Sequence, residues 1–290
     1  MKTLLYLQNN TFESLQTFEY IVELARYIGA DLKIIHIQFP DNVFGNVLDS
    51  DLLFQSSEAY NQARDEFMNS TTRNIKILLE AGKIEKDIPV DFFSGIPTSV
   101  LSYLHETGYF DMLVLENENQ KVNIYPYQSI KEIIRNIKCP IWVVPTNEEF
   151  IPMKQLAYMT DYQQEDINAV RFLADFFHRE QLTVKLIHFS DRDDFQEDIK
   201  QIGFEVLLSE KLESIHIQSC RCSFTNQASL PQKTEACITK ENPDLIIALK
   251  DNKNFIQRIV YKSFIHSTLS AVRKPYLILH RENFYQYPPF

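Results

Sequence analysis

The sequence predicts an α/β protein made of two tandem doubly wound parallel-sheet domains: copy one over residues 1–146, and copy two, shortened in its middle, over 154–290. Three observations predict it. The 290 residues make about two domains at ~150 residues each. Residues 4–9, Leu-Leu-Tyr-Leu-Gln-Asn, match residues 156–161, Leu-Ala-Tyr-Met-Thr-Asp, at an offset of 152. In both halves, short apolar strands alternate with amphipathic helices, the signature of a parallel sheet with right-handed crossovers.

The elements follow in order. The first strand lies near 3–8, and Leu15, Phe18, Val22, Ala25 and Ile28 make one face of a helix near 13–28. Further strands are expected near 32–38, 88–93, 111–115 and 141–145, with helices near 56–81, 97–107 and 128–137. Several strands are apolar almost throughout, as strands covered on both faces are. The offset of 152 also carries Ile34-Ile35-His36-Ile37 onto Leu186-Ile187-His188-Phe189 without a gap. Between the matched strands of copy two, Ile167, Val170, Leu173 and Phe177 repeat the helix face. Asp111-Met112-Leu113-Val114-Leu115 then matches Asp244-Leu245-Ile246-Ile247-Ala248 at an offset of 133, and Pro140–Val144 matches Pro275–Leu279 at 135. Copy two has thus lost 17–19 residues where copy one has its long second helix. A shorter remnant helix is expected at about 193–202. Residues 146–154 form the linker.

Composition excludes several functions. A net charge of −10 disfavours nonspecific binding to nucleic acid or anionic membranes. No apolar run approaches the ~18 residues of a membrane span, and the N-terminus reads as a strand rather than a signal peptide. Four cysteines cannot staple a chain of this length, so a reducing cytoplasm is the default. No two of the six glycines lie closer than 13 residues, which excludes the common glycine-rich phosphate loops.

The order and duplication of short motifs resemble the universal stress protein family in its tandem form, over nearly the whole chain. Asn9 and Ser14, then Asp161, stand where the family has a strand-terminal Asp and a Ser-containing helix start. Ile35-His36-Ile37 and Ile187-His188-Phe189 match its Leu-His-Val. Gly95-Ile96-Pro97 matches its Gly-x-Pro, Asp111 and Asp244 open the fourth strands, and residues 135–145 resemble its ending. The resemblance implies a universal stress protein-like, adenine nucleotide alpha hydrolase-like fold, with the two copies pairing through their last strands as an internal pseudo-dimer.

Nucleotide-binding members of that family carry a glycine signature after the fourth strand. Copy one has Glu116-Asn117-Glu118-Asn119-Gln120-Lys121 there, without glycine and with two acids that repel phosphate. Copy two also lacks glycine, but its segment 249–262 holds Lys250, Lys253, Arg258 and Lys262 against Asp251. Ser263 falls at the family's Gly-Ser position, and Asp161 matches its adenine-side acid. Asp161, Lys250, Lys253 and Ser263 are therefore the candidate residues of a vestigial nucleotide or anion site. The alternatives are a helix-start acid and a solvated basic face.

Other constellations are weighed against packing. His216, Cys220 and Cys222 share one strand face, which suggests zinc, but their spacing is not the usual one and Cys139 and Cys237 stand alone in the sequence. Small packing residues are the expected reading, with no metal. His36 and His188, inside apolar runs, are expected to be hydrogen-bonded packing histidines. The tail Asn283–Phe290 holds four aromatics and should fold back or cover a partner. No catalytic constellation is visible. The expectation is a non-catalytic stress-response or signalling protein that acts through a protein partner, without a cofactor or tight ATP binding. A homodimer is left open. The alternatives are an adenine-nucleotide binder or slow ATPase using copy two, and a binder of another small ligand in the vacated cleft.

Overall fold

A computed structural model of the chain describes residues 2–8, 15–38, 50–117, 130–177, 182–190, 195–209, 215–223, 230–250 and 274–284. Packing divides it into two compact units, residues 1–137 with 146–150, and residues 138–145 with 151–290.

In the first unit the elements are β1 (Lys2–Leu7), α1 (Leu15–Ile28), β2 (Ala30–Gln38), α2 (Ser50–Glu80), β3 (Val90–Ser94), α3 (Pro97–Glu106), β4 (Met112–Asn117) and α4 (Ile130–Asn136). The strands pair in the order β3-β2-β1-β4, all parallel. Leu4, Leu5, Tyr6 and Leu7 of β1 are fully buried, as a central strand with helices on both faces requires. Gly95 (φ 150) turns the chain from β3 into α3: its N–H reaches Gln38 O at 3.0 Å, and Pro97 opens the helix, where a missing N–H costs nothing.

The second unit holds β5 (Ile141–Pro145), β6 (Gln155–Met159), α5 (Gln164–Phe177), β7 (Leu182–Ser190), α6 (Phe195–Ser209), β8 (Ile215–Ser223), α7 (Leu230–Glu241), β9 (Leu245–Lys250) and β10 (Tyr276–His280). Parallel pairing runs β8-β7-β6-β9-β10. On the far side of β10 lies β5, antiparallel, with Leu277 opposite Trp142. The sequence repeat and the packing therefore part at one strand: β5 ends copy one in sequence but belongs to the second compact unit, where it pairs with β10.

The repeat is kept in register. Leu4 pairs with Leu32 and Met112, and Leu156 with Val184 and Leu245. Each partner is shifted by the offset seen in the sequence. The shared Asp has a structural task in both copies: Asp111 accepts the N–H of Thr3 at 2.7 Å, and Asp244 those of Lys154 and Gln155 at 2.8 and 2.9 Å. The shortening is real and local, since α2 has 31 residues and its counterpart α6 has 15. That helix runs further than the 193–202 expected for it. No helix among the described residues is long and apolar enough to cross a membrane.

Candidate functional site

The carboxyl edge of a parallel sheet is where open α/β folds place ligands. In the second unit this edge is built around Asp166. The carboxylate sits at the third position of α5 and reaches back to the N–H of Gln163 at 3.1 Å, as the acid of a capping box does. It also accepts the N–H of Asp161 (3.1 Å), the hydroxyl of Thr160 (2.8 Å) and, on its other oxygen, the buried hydroxyl of Tyr158 (2.8 Å). Burial pushes the Asp166 carboxyl above its ordinary range, and the four donors work against that shift. The turn it closes includes Tyr162 in the left-handed region, at φ 56, a conformation rare for a bulky residue.

His188, in β7, sits beside this turn. Its Nδ1 lies 2.8 Å from Thr160 O and its Nε2 2.9 Å from a Glu197 oxygen in the first turn of α6. The Tyr162 ring stands 4.4 Å from the imidazole. Each ring nitrogen thus lies within hydrogen-bond distance of a partner, a backbone carbonyl on one side and a carboxylate on the other. The Lys200 ammonium, 2.7 Å away, holds the Glu197 carboxyl below its ordinary range, with smaller help from His188.

Between the start of α5 and α6 lies a groove of about 440 Å³, lined among others by Tyr162, Ile167, Ile199, Phe204 and Leu207, with Gly203 in its wall. The hydroxyl of Tyr162 is buried without a hydrogen-bond partner among the described residues. On α6, Phe195 (77% exposed), Ile199 (53%), Ile202 (61%) and Val206 (48%) form an apolar stripe facing outward. The helix is thus apolar on two sides: Phe204 and Leu208 face the sheet and the stripe faces solvent.

In the first unit the corresponding edge differs. Tyr6 takes the place of Tyr158, and its hydroxyl donates to Glu116 Oε1 at 2.9 Å. Glu116 is buried at the end of β4, where a phosphate loop would begin. His36 Nδ1 lies 2.8 Å from Gln8 O, and its ring packs 5.2 Å from both Phe67 and Phe92. Burial lowers the His36 pKa.

The candidate site residues fall as follows. Asp161 and Lys250 each stand two residues beyond the paired positions Met159 and Ala248, so both reach the same sheet edge. Neither lines the groove, and Lys250 is buried. Lys253 and Ser263, with the loop 118–129, Asn9 and Ser14, lie outside the described residues. His36 and His188 are the hydrogen-bonded packing histidines expected. Phe284 is buried against Phe172 at 5.6 Å, so the first aromatic of the tail folds back, and 285–290 lie outside the described residues.

The cysteines require a correction. Cys237, alone in the sequence, is disulfide-bonded to Cys222, because α7 crosses the face of β8 that carries Cys222. The cluster gathers Cys220, Cys222 and Cys237; His216 is not among them. Asp166 and Glu197 were also missed. The one trace of Asp166 in the sequence is an acid three residues into a helix.

No family model matches the sequence, and no curated protein does. Solved structures do. A universal stress protein from Archaeoglobus fulgidus DSM 4304 aligns with a TM-score of 0.63 at 15% identity, covering 96% of each chain. A candidate universal stress protein from Pseudomonas aeruginosa UCBPP-PA14 aligns at 0.50 and 11% identity, covering 96% of this chain and 93% of the other. A functionally unknown protein from Pseudomonas aeruginosa PAO1 also aligns at 0.50, with 10% identity and coverage of 98% and 94%. With its repeat kept in register over two sets of parallel strands, the chain has the doubly wound fold of the universal stress proteins in its tandem form.

Proposed function

We propose that the chain is a stress-response or signalling protein that works by docking a protein partner on α6, and neither turns over nor tightly binds ATP. The exposed stripe Phe195, Ile199, Ile202 and Val206 carries this reading. Its spacing of four, three and four is that of a helix packing on a helix, and fully burying such side chains contributes roughly 1.5–3 kcal/mol each. The occupant is an amphipathic helix whose apolar anchor enters the adjoining groove, and the chain's net charge of −10 favours basic flanks. Against nucleotide stands Glu116, a buried carboxylate at the head of the copy-one loop. Photo-cross-linking from position 206 in cells, with wild type and with Ile199→Asp/Ile202→Asp, tests the docking. The partner helix should be lost from the variant, whose fold is checked by circular dichroism. Identical cross-links in both overturn the reading, as does micromolar Mg-ATP binding by calorimetry.

A second reading is favoured by the groove itself. An apolar cavity at the carboxyl edge, with a buried unpartnered tyrosine hydroxyl, suits a small apolar ligand with one acceptor. Native mass spectrometry of freshly purified protein separates the two, since a retained small molecule lost on Gly203→Leu supports the ligand.

A further inference from the structure

A cluster of sulfur atoms lies on the other face of the second unit's sheet, away from the groove. Arg221 follows the face of its neighbour His188, whereas Cys220 and Cys222 are opposite Ile187 and Phe189 and point the other way. That face is crossed by α7, on which Cys237 and Glu241, four residues apart, share one side. A strand pair and a helix pair therefore converge. The three sulfur atoms all lie within 4.8 Å of one another. Cys222 and Cys237 are bonded, and the Cys220 thiol donates to Glu241 at 3.4 Å. The other Glu241 oxygen takes Lys185 Nζ at 3.0 Å.

We propose that the reduced protein binds a thiophilic divalent metal ion of the zinc type through Cys220, Cys222 and Cys237, and that the Cys222–Cys237 disulfide is the closed, metal-free form. Three soft donors from two elements meet at one point, which neither element could achieve alone. With metal–sulfur bonds of ~2.3 Å, sulfurs around one tetrahedral ion stand about 3.8 Å apart. Once the disulfide opens, side-chain rotation brings three sulfurs now within 4.8 Å to that spacing. Glu241 is a positioning residue for Cys220, and Lys185 offsets the surplus negative charge of three thiolates on a divalent ion.

The chemistry balances in two steps. A dithiol reductant passes two electrons and two protons to the disulfide and itself becomes a disulfide; the Cys222–Cys237 bond breaks to two thiols. Binding then forms three metal–sulfur bonds and releases three thiol protons to water.

The test uses the full chain, reduced with a phosphine that is then removed, and titrated anaerobically with Zn²⁺. One equivalent should bind, and zinc should protect Cys220, Cys222 and Cys237 together from alkylation, as mapped by peptide mass spectrometry. Co²⁺ should give sulfur-to-cobalt charge-transfer absorption. Cys220→Ser should lose the cobalt signal and the protection of the other two, Cys139→Ser should keep both, and Glu241→Gln should weaken binding roughly tenfold. The proposal is overturned by reduced wild type that takes up no zinc, by protection of Cys222 and Cys237 unchanged in Cys220→Ser, or by equal binding to the oxidised protein. The wild-type protection pattern needs no variant to fold.

Discussion

The carboxyl edges of the two units start from the same residues and end differently. Tyr6 and Tyr158 are the same position of the repeat, and both phenols are buried on a carboxylate. In the first unit the acid comes from the end of β4, and in the second from the first turn of α5. His36 and His188 both point Nδ1 at a carbonyl at 2.8 Å. The first ring then lies among phenylalanines, while the second meets Glu197. A repeat therefore conserves the strand-borne half of a contact more strictly than the half that arrives from a helix or loop. The edge of the second unit also carries a groove and an exposed apolar stripe on α6, which has 15 residues where α2 has 31.

The largest expected effect tests the two carboxylates. Asp166→Ala leaves two hydroxyls and two N–H groups without their acceptor, and should destabilise the second unit by about 3 kcal/mol or more. Glu116→Ala removes the acceptor of the Tyr6 hydroxyl and should cost the first unit about 1–3 kcal/mol. Urea unfolding followed by Trp142, the single tryptophan and a residue of the second unit, should show the first change directly. Hydrogen exchange in β1 reports the second. Equal costs would break the distinction between the two edges.

The histidines come next. His188→Phe strips a partner from both Thr160 O and Glu197 and should cost about 2 kcal/mol, and His36→Phe, which keeps its aromatic packing, about 1. A larger penalty at His36 would show that ring stacking is not what holds it.

A pH titration sharpens the same contrast. The folded pKa of His36 is lowered, so its neutral form is favoured by folding. Its contribution is complete above the unfolded value of ~6.5 and is lost as pH falls from there through the folded value. Glu197 is also lowered, so its contribution is complete above the unfolded value of ~4.3 and lost only below it. As pH falls below about 6.5, exchange protection in β1 should therefore fall, and His36→Phe should flatten that slope. Protection that is independent of pH in wild-type β1 would refute the assignment.

The smallest effect is Gly203→Ala. A Cβ there meets nothing within 4 Å, so helix propensity alone should stabilise the second unit by about 0.5–1 kcal/mol. A destabilisation, read by the Trp142 transition, would mean that the groove wall cannot accept a methyl group.

Much of this molecule was settled by the sequence alone. The two copies, their register, the loss from the middle of the second and the packing histidines all follow from apolar periodicity and from short segments that recur at a fixed offset. These signals are local, and a strand or helix face declares itself within a few residues. The tertiary structure alone decided which partners meet across distance. It brought Cys237 of a helix onto Cys222 of a strand, gave Tyr158 to Asp166 and Tyr6 to Glu116, and opened the groove beside a shortened helix. Each of these depends on where a crossover sets a helix over a sheet, and that is fixed by packing summed over both elements, which no single stretch of sequence carries.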